Sequence, residues 1–167
     1  MRAFSLLSLG INALAWAANA DYVEPCDKPT AAASLPYCPP RPATPEEQRV
    51  VLDEFITAFY HERNATKAVL NHLAEDYIQH NPNALSGRQN ALEALAPFIS
   101  PTSVNNTIIH TAMVNNTAYI HYRMDLAAGG EPFAVVDIFR FEGTCIMQHW
   151  DVAQQRPANA TNPIAMF

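Results

Sequence analysis

The chain is poor in charge, in glycine and in cysteine, and each shortage closes off a class of function. Only 16% of its 167 residues are charged, and no Lys/Arg cluster occurs anywhere. With a formal net charge of −6, it lacks the basic footprint that a nucleic-acid partner requires. The five glycines form neither a phosphate-cradling loop nor a dinucleotide fingerprint, and no Ser-centred elbow is present. Six histidines are present, but none has His-Glu-x-x-His or similar ligand spacing. These absences predict chemistry without a cofactor and without a metal. Past the N-terminal segment, no run is long and apolar enough to span a bilayer, so no membrane contact is expected after processing.

What is present begins with an address. Arg2, the apolar stretch from Phe4 to Ala18 and the small-x-small triplet Ala18-Asn19-Ala20 read as a signal peptide over 1–20. The full chain is 49% hydrophobic, ample for one core, and the part after residue 20 suits a single domain in the secretory pathway. Four glycosylation triplets fit that route, at Asn64, Asn105, Asn115 and Asn159. Three cysteines leave one odd. Cys26 and Cys38 flank a Pro-rich stretch and are expected to pair, which leaves Cys145 as a buried free thiol.

Residues 21–43 form an arm too rich in proline for a regular helix or an inner strand. A domain over 44–155 opens at Thr44-Pro45-Glu46-Glu47, an N-cap, a first-turn proline and a capping-box glutamate. Leu52, Phe55, Ile56 and Phe59 then recur at helical spacing, to about Arg63. A second short helix covers 66–73. Tyr77-Ile78-Gln79-His80-Asn81-Pro82 is a brief extended piece, and a third helix follows Gly87. Strand patterns over 104–114, 118–126, 133–141 and 145–153 make two hairpins, and 156–167 is a loose tail. Helices followed by an antiparallel sheet argue for α+β.

Three of these stretches resemble the SnoaL-like family of the NTF2-like superfamily. They are Tyr77-Ile78-Gln79-His80-Asn81-Pro82 with Gly87, Asp137-Ile138-Phe139-Arg140, and Gln148-His149-Trp150-Asp151-Val152-Ala153-Gln154. The resemblance implies a cone: a curved antiparallel sheet wrapped over three N-terminal helices, with one internal pocket. It also implies a function, since the family includes polyketide cyclases in which an acidic residue of the sheet transfers the proton. The family usually turns its last hairpin with Asp-Gly and a basic residue, whereas Glu142-Gly143-Thr144-Cys145 stands here.

That turn decides which side chains share a face, because a slip of one residue flips them all. A two-residue loop, Glu142-Gly143, sets Asp137 opposite Gln148. A three-residue loop pairs Phe141 with Cys145, Phe139 with Met147, Asp137 with His149 and Val135 with Asp151. The family's usual loop length favours the second register, which gathers Asp137, His149 and Asp151 on an otherwise apolar wall. The polar alternation Tyr119, His121, Arg123 and Asp125 on the neighbouring strand is expected to line the cavity or its rim, with His80 and Asn81 above it.

A carboxyl group enclosed by apolar walls beside a histidine suits general acid/base work. Asp137 is the expected proton-transfer residue and His149 its partner, with Asp151, His121 and Arg123 as second choices. Asp137 could instead pair with Arg123 as a buried ion pair. Tyr60, Tyr77, His80, Asn81, Tyr119, Phe139 and Met147 complete the expected pocket. The expected function is acid/base ring formation or isomerisation of a hydrophobic polyketide-type small molecule, or epoxide opening, for which Arg123-Met124-Asp125 offers a loose likeness. The alternative is a secreted protein that binds a small apolar ligand without turnover. Val136, Ile138, Ile146 and Trp150 would give the outer sheet face an apolar patch for a homodimer.

Overall fold

The structure, a computed structural model, describes residues 34–162 and 164–167. Three helices cover a curved five-stranded sheet, two of them before its first strand and one after it. The first helix, α1 (Pro45–Ile56), starts where its sequence says it should. Thr44 Oγ1 accepts from the Glu47 amide at 3.2 Å, and the Glu47 carboxylate accepts from the Thr44 amide at 2.9 Å. The helix then widens into a π turn (Thr57–His61) that buries Ala58, Phe59 and Tyr60. Such wide turns recur at functional sites, and this one carries Tyr60 under the sheet. Asn64 caps α2 (Ala65–His72) by accepting from the Lys67 amide, and α3 (Arg88–Leu95) follows Gly87.

Strand β1 (Leu73–Gln79) leaves α2 directly, longer than the brief extended piece expected. It pairs parallel to β5 (Cys145–Gln155), so the sheet is mixed rather than wholly antiparallel. Between them in the chain come β2 (Val104–Val114), β3 (Thr117–Leu126) and β4 (Phe133–Glu142). The spatial order is β1-β5-β4-β3-β2. The core packs α1 and α2 against the concave face through Val51, Leu52, Phe55, Phe59, Ala68 and Val69, met by Ile120, Tyr122, Val135, Phe139, Phe141 and Ile146.

The alternation of β3 runs opposite to expectation. Ile120 lies across from Asp137 and Tyr122 from Val135, so Ala118, Ile120, Tyr122 and Met124 face inward. Tyr119, His121, Arg123 and Asp125 therefore face out. Burial of the apolar set outweighs any gain from bringing the polar set inside.

The last hairpin also corrects the expected register. Its turn is Gly143-Thr144, with Glu142 opposite Cys145 and Phe141 opposite Ile146. The ladder then slips at Met147, and from there Phe139 faces His149, Asp137 faces Asp151 and Val135 faces Ala153. The expected cross-strand pairs are all displaced. Yet the bulge restores the even spacing, so Asp137, His149 and Asp151 still share the concave face. Before the bulge the parity is reversed. Ile146 is thus fully buried and leaves the outer patch, which keeps Val136, Ile138 and Trp150.

The arm explains the unusual turn. Cys38 is bonded to Cys145, which overturns both the expected Cys26–Cys38 pair and the free Cys145 thiol. Cys26 itself lies outside the described residues. The arm runs across the β4–β5 turn: the Thr144 hydroxyl donates to Tyr37 O at 2.6 Å and the Thr144 amide to Arg41 O at 3.0 Å. The Gln48 side chain donates to Gly143 O at 2.9 Å. Gly143 has φ +51°, and a Cβ there would sit 1.8 Å from Arg41 O, so only glycine fits. The short loop between Cys26 and Cys38 gave no hint of this docking, which is tertiary. The tail folds back as well, with the Arg156 guanidinium 2.8 Å from Glu131 and Arg123 stacked over the Phe167 ring. The four sequon asparagines are all exposed.

Candidate active site

Between the helices and the concave face lies a cavity of about 220 Å³. Phe55 of α1, Phe59 of the π turn, Val69 of α2, Leu73 and Tyr77 of β1, Leu95 at the end of α3, and Phe98 and Ile99 beyond it form one side. Tyr122 and Met124 of β3, Val135, Asp137 and Phe139 of β4, and His149, Asp151 and Ala153 of β5 form the other, with Asn81 at the edge. An apolar chamber holding a few convergent polar groups is the usual form of a small-molecule site.

Asp137 lies in the middle of β4 and is 4% exposed. Its Oδ2 accepts from the Tyr60 hydroxyl at 2.5 Å, and its Oδ1 lies 3.3 Å from His149 Nε2. That contact is close but out of line for a hydrogen bond, and Nε2 is buried without a hydrogen-bond partner. The two groups lie side by side, and the nitrogen is left free to accept or donate. The His149 ring stacks on Phe139, with centroids 4.6 Å apart.

The state of the ring follows from its neighbours. Gln79, at the end of β1, lies beside His149 because the two strands are paired in parallel there. The Asn81 amide donates to Gln79 Oε1 at 2.9 Å, which fixes the oxygen end of that side chain. His149 Nδ1, 3.1 Å from the same oxygen, must then carry a hydrogen. In the neutral ring this leaves the Nε2 lone pair aimed at the cavity beside Asp137. Asp151 is held in turn by Asn81, whose Nδ2 donates to both carboxylate oxygens at 2.9 and 2.8 Å. Asn81 is itself fixed by the Asn83 amide.

Three phenols complete the polar floor. Burial first, and then the charge of Asp137, push Tyr60 and Tyr122 well above the ordinary tyrosine range. Burial and the charges of Asp137 and Asp151 do the same to Tyr77. All three are therefore protonated donors at any physiological pH. Asp137, His149 and Asp151 also offer donor atoms that lie within 4.8 Å of one another, the only such group of three or more among the described residues. Chemically, that set can hold a proton or a cation.

The expected site divides cleanly. Asp137, His149, Asp151, Tyr77, Asn81 and Phe139 line the cavity, and Tyr60 supports Asp137 from beneath. His121 and Arg123 do not. His121 faces His110 on the outer side, with Nδ1 atoms 3.4 Å apart, and Arg123 grips Asp125 with contacts of 2.8 and 2.7 Å. No buried Asp137–Arg123 pair forms. Tyr119 is 41% exposed, His80 stacks on Trp150 outside, and Met147 packs by the disulfide. Missing from the expectation were Tyr122, Gln79 and the aromatic wall of Phe55, Phe59 and Phe98. The alternation Ile120-Tyr122-Met124 signalled the first, and the helical spacing of Phe55 and Phe59 signalled two of the others.

The fold has many relatives. TsrD from Streptomyces laurentii superposes with a TM-score of 0.55 at 20% identity, over 66% of this chain and 91% of that one. A provisional ketosteroid isomerase from Kribbella flavida gives 0.57 at 16% identity, over 70% and 84%. AclR, a provisional hydroxylase from Streptomyces galilaeus, gives 0.54 at 12% identity, over 68% and 83%. At these identities the likeness shows the fold alone. No curated protein matches the sequence. The profile of the SnoaL-like domain, however, matches residues 52–149, more than half of the chain and every residue of the cavity's polar floor except Asp151. The chain belongs to the SnoaL-like family, with an NTF2-like fold.

Proposed function

We propose that this protein is an acid/base enzyme that closes or isomerises a ring in a hydrophobic small molecule of polyketide type, without a cofactor. One observation carries the reading. Asp137, anchored by Tyr60, sits 3.3 Å from a histidine nitrogen whose lone pair faces an aromatic cavity. Such a pair can take a carbon-bound proton at one atom and return it at another. Asp137 Oδ1 and His149 Nε2 are the two atoms that would exchange it. Gln79 keeps the ring in the useful tautomer. Tyr77 and Tyr122 line the cavity as neutral phenols, and Tyr77, which is not bonded to Asp137, is the donor that would meet a developing oxygen charge. Family membership supports the reading, since the family includes polyketide cyclases and isomerases. Epoxide opening loses its particular support, because Arg123 and Asp125 bind each other on the far face.

Secretion and glycosylation belong to the same proposal, consistent with four exposed sequons. The test is native mass spectrometry of the glycoprotein purified from its own host, followed by incubation of any co-purified compound with fresh enzyme. Conversion with a bell-shaped pH dependence supports the reading. Tight retention of an unchanged compound would favour the alternative, a secreted binding protein.

A further inference from the structure

The cavity is unbalanced in charge. Asp137 and Asp151 face each other across β4 and β5, and none of the described Lys or Arg side chains lines the chamber. Four described cations outside the chamber are committed to other carboxylates: Arg123 to Asp125, Arg156 to Glu131, Lys67 to Glu62 and Arg88 to Glu75. Like charges directly opposite on neighbouring strands repel, and low-dielectric walls strengthen the repulsion. A proton shared with His149 offsets one carboxylate. The other, Asp151, is hydrogen-bonded by the neutral Asn81 amide, with His149 Nδ1 4.0 Å away and committed to Gln79. Two of the neutral donors are already committed, Tyr60 to Asp137 and Asn81 to Asp151. Phe55, Phe59, Tyr77, Phe98, Tyr122 and Phe139 line the same chamber as the two carboxylates. Aromatic walls with uncompensated carboxylates attract an organic cation.

We propose that the cavity takes a hydrophobic, ring-containing ligand whose positively charged centre, such as a protonated amine, rests at Asp151 beside the Asp137–His149 pair. This rests on reading the cavity as the ligand site, and it narrows the substrate class. Free carboxylates of the same shape are disfavoured, because they would place a second uncompensated negative charge in the chamber. A bare metal ion fits less well. The two nitrogens of His149 face different carboxylates, Nε2 toward Asp137 and Nδ1 toward Asp151 at 4.0 Å, and the Nδ1 hydrogen is committed to Gln79.

The experiment is isothermal titration calorimetry of the full chain, treated with chelator, against three probes of one shape. These are 2-naphthylmethylamine, 2-naphthylmethanol and 2-naphthoic acid, all near neutral pH. The amine should bind at least about tenfold more tightly than the alcohol, and the acid should not bind measurably. Asp151→Asn should erase the preference for the amine, with circular dichroism confirming that the variant is folded. Equal affinities for the three probes, or tighter binding of the acid, would overturn the proposal while leaving the acid/base reading intact. Binding by none of them would remove the cavity as a site for ring compounds, and the proposal with it. Recovery of amine binding only when zinc is added back would assign the charge deficit to a metal instead and also defeat it.

Discussion

The Tyr60 hydroxyl meets Asp137 Oδ2 at 2.5 Å, joining the widened end of the first helix to the centre of the fourth strand. Both residues are buried, so the bond is structural and chemical at once. Removing the hydroxyl strands a buried acceptor. Tyr60→Phe is expected to lower the unfolding free energy by about 1–3 kcal/mol in urea titrations. It should also slow turnover, because it frees the carboxylate to rotate. An unchanged unfolding midpoint would show that the bond contributes nothing.

Acid should weaken the fold through a different residue. His72 is packed between Tyr37 and Phe55, and burial pulls its pKa from 6.5 down to about 4 despite the Ala68 carbonyl on Nδ1. The unfolded chain binds this proton at a higher pH than the folded one, so stability falls as pH drops from about 6.5 toward 4. The loss attributable to His72 is on the order of 3 kcal/mol across that window. His72→Phe should flatten this part of the stability–pH curve. A curve of unchanged slope would acquit His72.

The disulfide ties residues 107 apart in the chain and so closes a long loop. Such closure stabilises by about 4–5 kcal/mol on the chain-entropy account. Peptide mapping without reduction should find Cys38 joined to Cys145, and Cys38→Ser should lower the denaturation midpoint markedly. A Cys26–Cys38 peptide would contradict the docking of the arm.

On the convex face, Val136, Ile138 and Trp150 lie together, with Val152 and Tyr119 more exposed beside them. We expect this patch to bury itself against a second copy. Light scattering at micromolar concentration should return the mass of a dimer, and Trp150→Arg should return a monomer. A monomeric wild-type mass would leave the patch without its partner.

Much of this was legible from the chain. The capping box at Thr44, the four strand patterns and the helical spacing of Leu52, Phe55 and Phe59 are local signals, and local signals survived. The sharing of a face by Asp137, His149 and Asp151 came out right through two compensating departures, a two-residue turn and a bulge at Met147, which pattern alone could not reveal. His121 and Arg123 face outward, against expectation, because burial of Ala118, Ile120 and Tyr122 outweighs any gain from bringing the polar set inside. Cys145 found Cys38 rather than remaining free because the arm docks on the last turn, and no short-range rule encodes such a contact. Gln79 was invisible as a partner of His149 until β1 was seen to run parallel to β5.

The central claim is that Asp137 and His149 move a proton together. The direct test is the single-turnover rate of wild-type protein and Asp137→Asn on the compound that co-purifies with it, with its affinity measured in parallel. The account predicts a rate lower by about 10²–10⁴-fold with binding largely kept. Turnover by Asp137→Asn at the wild-type rate would contradict it and leave the cavity as a binding site alone.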